Sequence, residues 1–170
     1  VSSVGADLST AVEAASRVEF GNRLADAPDA PISAVRLLAF DESIEVAAPV
    51  LSRSERLTEA DLIKSAETMS QEHLLAIAKR RELKEGLTDV LVTRGNREVL
   101  VSTATNQGSR FSQLGLDTLV EKAGSDDKLA LSVWARQDIP RQQMLRLFRQ
   151  ASDGLRRQLE AAHPRHADSI

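Results

Sequence analysis

A histidine beside a carboxylate is the smallest arrangement that could move a proton, and the chain has one: His73 follows Glu72. As a general base, His73 would need a nucleophile within hydrogen-bond reach and a group to orient its ring, and the order of residues supplies neither. The pair reads as the opening of a helix. His163 and His166 stand three apart and could share a helix face, but Pro164 lies between them, and one face with two imidazoles is not a metal site. Gly108-Ser109-Arg110 and Gly21-Asn22-Arg23 have the small residues of a phosphate loop, yet neither follows a strand signal or carries a Walker spacing. Glu42, Glu45, Asp126 and Asp127 sit where helix starts attract negative charge. No catalytic residue, cofactor or metal is therefore assigned, and the expectation is a protein that is not an enzyme.

Arginine is more informative. Arg80 and Arg136 recur near the same helix end of successive segments, with Arg53 as a faint copy and Asn106 in the matching place of a third. In the stronger reading these side chains bond terminal carbonyls or a neighbouring acid, as basic groups near helix C-termini do. In the other, a stacked row lines one surface and touches a partner, and the residues expected there are Arg80, Asn106, Arg110 and Arg136. From Arg136 to Arg165 seven arginines face three acids, Asp138, Asp153 and Glu160, but Arg146, Arg149, Asp153, Arg156 and Glu160 follow the spacing of an ordinary solvated helix face.

The elements that must carry these residues are helical. Only five aromatics are present, none of them tyrosine, and alternating β-branched runs are few, so sheet is disfavoured. Apolar residues recur at helical spacing in short segments: Leu62, Ile63, Ala66; Leu74, Leu75, Ile77, Ala78; Leu87, Val90, Leu91; Leu116, Leu119, Val120; Leu129, Val133, Trp134; Met144, Leu145, Phe148. Gly95 and Gly124 are expected to end helices in the left-handed conformation, with Asn96 and Ser125 capping the next ones. Thr58 with Asp61 predicts a capping box, Ser70 a cap, and Pro140 a first helical turn.

These signals repeat. Ser70, Asn96 and Ser125 are separated by 26 and 29 residues, and Leu57, Leu83, Phe111 and Ile139 by 26, 28 and 28. Leu74 to Arg80 aligns with Leu100 to Asn106 and with Ala130 to Arg136, and Ala48 to Ser54 is a weaker copy. Each unit reads as two short helices that cannot bury an apolar stripe alone, so stacking must supply the core. Small residues, among them Ala76, Ala78, Ser102, Ala104 and Ser132, fall on one helix of each unit and permit close approach. The expected fold is all-α, a short right-handed α-solenoid of HEAT-like two-helix repeats of 26 to 28 residues. Residues 1–40 form capping helices with a break at Gly21-Asn22, residues 41–162 the repeats in one continuous domain, and residues 163–170 a polar tail. The stretch from Ile139 to Leu159 reads as a helix bent or interrupted at Gly154. Its Met144, Leu145, Phe148, Leu155 and Leu159 predict an uncovered apolar face and a homo-oligomer.

Composition bounds the rest. A chain of 170 residues, 42% of them hydrophobic, suffices for one continuous core, and a net charge of −3 gives no global attraction to nucleic acid or anionic lipid. The absence of cysteine excludes disulfides and thiolate chemistry and suits the cytoplasm, the expected location. No apolar run reaches the length of a membrane span. The opening Val-Ser-Ser-Val-Gly-Ala-Asp has no secretory pattern and no initiating Met, so the sequence reads as processed or excerpted from a longer parent.

The run from Ile44 to Leu51, then Leu57 and Asp61-Leu62, Glu72-His73 with Ala76 to Arg80, and Ala135 to Pro140 resembles a bacterial family, domain of unknown function 2336. The likeness spans Ala34 to Leu159. It implies an all-helical, HEAT-like repeat domain, often part of a longer polypeptide, with no established activity and no catalytic residues to carry over. Thr105 to Ser109 departs from the pattern by lengthening a loop. The expected function is a non-enzymatic binding or scaffold module with a protein or peptide partner. The alternative is a HEAT-like nucleic-acid cradle using the arginine row, against which the acidic balance counts.

Overall fold

Leu57, Leu83, Phe111 and Ile139 each come directly before the N-cap of a helix, where an apolar side chain fixes the angle at which the chain enters. The computed structural model describes residues 2–162, with side chains from residue 10 onward, and these residues form eleven helices. They are α1 (Ser2–Ala25), α2 (Ile32–Ala39), α3 (Ile44–Arg53), α4 (Glu59–Thr68), α5 (Gln71–Ala78), α6 (Glu85–Arg94), α7 (Arg97–Thr105), α8 (Gln113–Ala123), α9 (Asp127–Trp134), α10 (Arg141–Gln150) and α11 (Asp153–Ala162). No strand occurs among the described residues; Leu83 and Ser109 form one isolated parallel bridge.

The starts of these helices are set locally. The Thr58 hydroxyl accepts from the Asp61 amide while the Asp61 carboxylate accepts from the Thr58 amide, a complete capping box on α4. Ser70, Asn96 and Ser112 accept from the third amide of α5, α7 and α8.

The fold divides into two compact units, one ending at Arg80 and the other beginning at Arg81. In the first, α3 packs between α1 and α5, α2 lies against α3 and α1, and α4 against α5. Val46, Val50, Leu51, Leu74 and Ile77 have no exposure there. In the second, α6, α8 and α10 pack in one sequence and α7, α9 and α11 in another, with α6 against α7 and α8 against α9. Leu119, Val133, Leu147 and Leu159 are fully enclosed, and Trp134 stacks on Phe148 with ring centroids 6.0 Å apart. Helices two apart in the chain are thus the principal neighbours within each unit.

Several expectations are corrected. No described residue has positive φ, so Gly95 and Gly124 do not end helices in the left-handed conformation. Gly95 is extended, with φ −67° and ψ 145°; a Cβ there would press into the Leu91 carbonyl and lie 2.5 Å from Val99 Cγ1. Its smallness serves the close α6–α7 turn. At α9 the cap is Asp126, whose carboxylate accepts from the Leu129 amide, rather than Ser125. The helix α1 runs through Gly21-Asn22 without a break, because Gly21 lies against the Val46 carbonyl of α3, 2.8 Å from where a Cβ would stand. Pro140 is the N-cap of α10 rather than part of its first turn. The stretch from Ile139 to Leu159 is two helices that part at Ala151-Ser152, where the Ser152 hydroxyl accepts from the Leu155 amide. Gly154 falls inside the first turn of α11. Met144, Leu155 and Leu159 are buried within the second unit and form no uncovered face. His163, His166 and the expected tail at 163–170 lie outside the described residues.

Two glycine substitutions separate these roles. G95A adds a methyl into a closed contact and is expected to cost about 2 kcal/mol in urea unfolding. G154A, at an exposed helical position where a Cβ would meet only the Ser152 hydroxyl at an ordinary 4.0 Å, is expected to gain about 0.5 kcal/mol.

Candidate partner-binding surface

Arg136 follows the last turn of α9 and reaches back to the end of α7. Its Nη1 donates to the Ala104 and Asn106 carbonyls at 2.9 and 2.8 Å, and its Nη2 to the Ser109 carbonyl at 2.9 Å. Nε and Nη2 grip the two carboxylate oxygens of Asp138, each at 2.8 Å. All five N–H groups of the guanidinium are thereby used. Its Cζ lies over the Phe111 ring, 4.9 Å from the centroid, and the residue is 4% exposed. The arginine is a bolt between successive helix ends.

Arg80 repeats the arrangement in the first unit. Its Nη1 donates to the Leu51 carbonyl at 2.6 Å and Nη2 to the Ser54 carbonyl at 2.7 Å, so the end of α5 closes the end of α3. Burial lowers its affinity for the proton, partly opposed by Glu55. One step earlier, Arg56 Nε donates to the Ala30 carbonyl at 3.0 Å, and Arg53 pairs with Asp26. The alternate row of the second unit does the same with other residue types. Lys122 Nζ at the end of α8 donates to the Val92 and Thr93 carbonyls of α6, and Gln150 Nε2 at the end of α10 donates to the Val120 carbonyl of α8. Sequence reading missed Lys122 and Gln150 because the recurring property is a long side chain with a terminal N–H donor, not a residue type.

Of the four residues expected at a partner surface, three gather at one loop of the second unit. Asn106 is half-buried and its side-chain oxygen accepts from the Gly108 amide at 2.9 Å. Arg110 is exposed and its charge adds to the field that lowers Asp138. Arg136 is enclosed. Arg80 belongs to the first unit. The Gly108 to Arg110 segment, weighed above as a phosphate loop, is pinned to Leu83: the Leu83 amide donates to the Gly108 carbonyl at 3.0 Å and the Arg110 amide to the Leu83 carbonyl at 2.8 Å. A Cβ on Gly108 would strike the Arg81 carbonyl, so only glycine admits this approach.

His73 is 1% exposed. Its Nδ1 lies 2.6 Å from the Ser70 hydroxyl and its Nε2 2.8 Å from the Asp41 carbonyl. A neutral ring with the proton on Nε2 satisfies both, donating to the carbonyl and accepting from the hydroxyl. Glu45 is held below the usual carboxylate range by its own backbone amide and the Ser43 hydroxyl. Asp126 is held low by the hydrogen bond from Arg97. At Asp61 burial raises the carboxyl, and the Thr58 amide and hydroxyl with Arg36 outweigh it. Among the described residues no three His, Asp or Glu side chains group as metal ligands, and no described helix is long and apolar enough to cross a membrane.

The open feature lies on α10. Gln142, Leu145, Arg146, Arg149 and Gln150 recur at helical spacing and line a groove of about 450 Å³. Leu145 is half-buried, while Arg146 and Arg149 are exposed at its sides.

A family profile described as "Uncharacterised protein conserved in bacteria (DUF2336)" matches residues 46–170. No curated protein and no solved structure matches the chain.

Two measurements test the bolt. R136A leaves buried carbonyls without a donor and is expected to lower urea-unfolding stability by about 3 kcal/mol, with R136K recovering only part because an ammonium cannot reproduce the planar fork. The second concerns acid. The Arg136 hydrogen bonds hold the Asp138 carboxyl below its ordinary range against the opposing effect of burial. An unfolded aspartate titrates at about 3.9, so the folded state binds this proton more weakly than the unfolded one. The stabilisation is present above that value and is lost as pH falls through the lowered one. D138N is expected to flatten the loss of stability between about pH 5 and pH 2, and an unchanged slope would remove the pair as its source.

Proposed function

The chain belongs to the bacterial family DUF2336, and from that premise we propose that it is a non-enzymatic helical-repeat binding module. In this reading it is a short right-handed α-solenoid of HEAT-like two-helix units that offers an extended surface to a protein or peptide in the cytoplasm. The observation that carries the proposal is the recurrence of one bond. A donor at the end of one helix caps the carbonyl end of the helix two elements before it, 26 to 32 residues back, in both units. Bonds of this kind tie a helix to the one two elements before it within the same compact unit and leave the outer helix faces to other contacts.

The nucleic-acid alternative loses its principal residues. The guanidinium groups of Arg80 and Arg136 are directed at carbonyls, and a phosphate would have to displace those bonds.

The architecture is tested by small-angle scattering. A compact chain of this length has a radius of gyration of about 15.5 Å, and a solenoid is expected to exceed about 17 Å. Function is tested by cross-linking in host-cell extract followed by reconstitution with the purified partner. A Kd of about 10 µM or tighter is expected. Turnover in a small-molecule substrate screen, with no partner that reconstitutes, overturns the reading.

A further inference from the structure

In the second unit each new helix of the α6, α8, α10 row meets its predecessor at the same place. Asp89 of α6 accepts from the Ser112 hydroxyl at the start of α8 at 2.6 Å, and Gly115 lies so close that a Cβ there would stand 2.7 Å from the same carboxylate oxygen. Asp117 of α8 accepts from Gln143 in the first turn of α10, and Arg146 Nη1 stands 3.7 Å from its carboxylate. Asp89, Asp117 and Leu145 stand at equal intervals along the chain, so Leu145 occupies on α10 the position through which α6 receives α8 and α8 receives α10. Among the described residues no helix follows α10 in this row. The face is the groove of Gln142, Leu145, Arg146, Arg149 and Gln150.

Its chemistry differs from that of the two occupied faces. Where the chain packs on itself, the receiving position is a carboxylate that takes a hydroxyl, an amide or a guanidinium. On α10 the same position is leucine, and the helix carries three arginines and no carboxylate. A helix seated there would set an apolar residue on Leu145 and find cationic groups along its flank. Resting on the binding-module reading above, we infer that this face of α10 binds an acidic amphipathic helix of a partner protein, laid on α10 as α10 is laid on α8. Apolar side chains of that helix cover Leu145, and its Asp or Glu residues face Arg149, next to Arg146, which Asp117 already holds from the other side. A groove of this size admits one side-chain row of a helix, the mode in which anchors at i, i+3, i+4 and i+7 enter a partner surface. Arg149 sets charge preference at the rim, and Leu145 supplies the apolar anchor.

The probe is a fluorescein-labelled, hydrocarbon-stapled helical peptide with leucine anchors at i, i+3 and i+7 and glutamates between them, titrated into the full chain and read by anisotropy. A control peptide carries lysine for every glutamate. Saturable binding in the micromolar range is expected for the acidic peptide, with at least tenfold weaker binding of the lysine peptide. L145E and R149E are each expected to weaken the acidic peptide at least tenfold with helicity and melting midpoint unchanged. R149E changes an exposed rim residue and keeps the test valid if L145E disturbs folding. Equal affinity for the two peptides, or no loss in R149E, overturns the inference. So does a dimer in sedimentation that R149E dissolves, which would make a second copy the occupant, or displacement of the peptide by single-stranded RNA. If cross-linking yields a partner whose affinity R149E does not alter, this groove is wrong and the binding-module reading stands; if no partner reconstitutes and turnover is found, that reading itself falls.

Discussion

The carbonyl ends of short helices are the constraint on which the rest depends. An α-helix leaves its last four carbonyls without an internal partner. In helices of 8 to 11 residues, the range from α2 to α11, that is a large share of all the acceptors. Such helices are also too short to persist alone in water. At α3, α6, α7 and α8 both deficits are answered, within the same unit, by the helix two elements on. Its apolar face closes over the predecessor, and its terminal side chain donates to the predecessor's open carbonyls. Full burial of one leucine contributes about 1.5 to 3 kcal/mol, and a hydrogen bond involving a charged group about as much. With many apolar side chains enclosed for each bolt, burial supplies most of the stability and the bolts fix which turn of one helix meets which turn of the next. A slip by one turn would carry the donors of Arg136 away from the carbonyls at 104, 106 and 109 that they now pair.

The choice of donor follows from how deeply each bolt sits. Arg136 is almost wholly enclosed, and a guanidinium suits that place because its five donors can all be satisfied by a fixed set of acceptors while it keeps its charge. Its five partner atoms are three carbonyl and two carboxylate oxygens, and Phe111 lies against the guanidinium. Three of the acceptors are carbonyls at or just beyond the end of α7, where the helix dipole favours a cation, so Asp138 need not neutralise the charge alone. The half-buried Lys122 keeps an ammonium within reach of water, and the neutral amide of Gln150 carries no desolvation penalty of a charge at all. The residue type varies along the rows while the donor's function does not.

This distinction explains how much of the fold could be read before the structure. Apolar residues ahead of the N-caps of α4, α6, α8 and α10 are legible because the hydrophobic requirement and the cap are adjacent in sequence, and Leu57, Leu83, Phe111 and Ile139 display it at regular intervals. Arg80 and Arg136 are legible because both units chose arginine. Gly95 and Gly21 mislead, since glycine at a turn and glycine at a close helix contact look identical in one dimension; only Val99 beside the first and the Val46 carbonyl beside the second separate them. Asp126 in place of Ser125 was undecidable locally, both being good caps, and Arg97 on α7, twenty-nine residues earlier, forms a salt bridge with the aspartate. The break before Ser152 was hidden by the stronger signal of Gly154. The groove on α10 had a faint trace in sequence, a leucine in register with two aspartates, which carries meaning only once their contacts are known.

Ser70 and His73 show why geometry alone does not make chemistry. A hydroxyl 2.6 Å from an imidazole nitrogen, with a third group fixing the other nitrogen, is the arrangement of an activated nucleophile. Here the hydroxyl also receives the His73 amide and caps α5, and the third group is a backbone carbonyl on the segment that enters α3. The ring has 1% exposure, so an attacking oxygen would need a substrate to pass between α5 and that segment. Moving the histidine to admit one would uncap the helix that holds it. The pair is therefore a strut: it ties the start of α5 to the loop ahead of α3, and the polar groups that would lend it reactivity in a cleft are the ones whose satisfaction permits its burial.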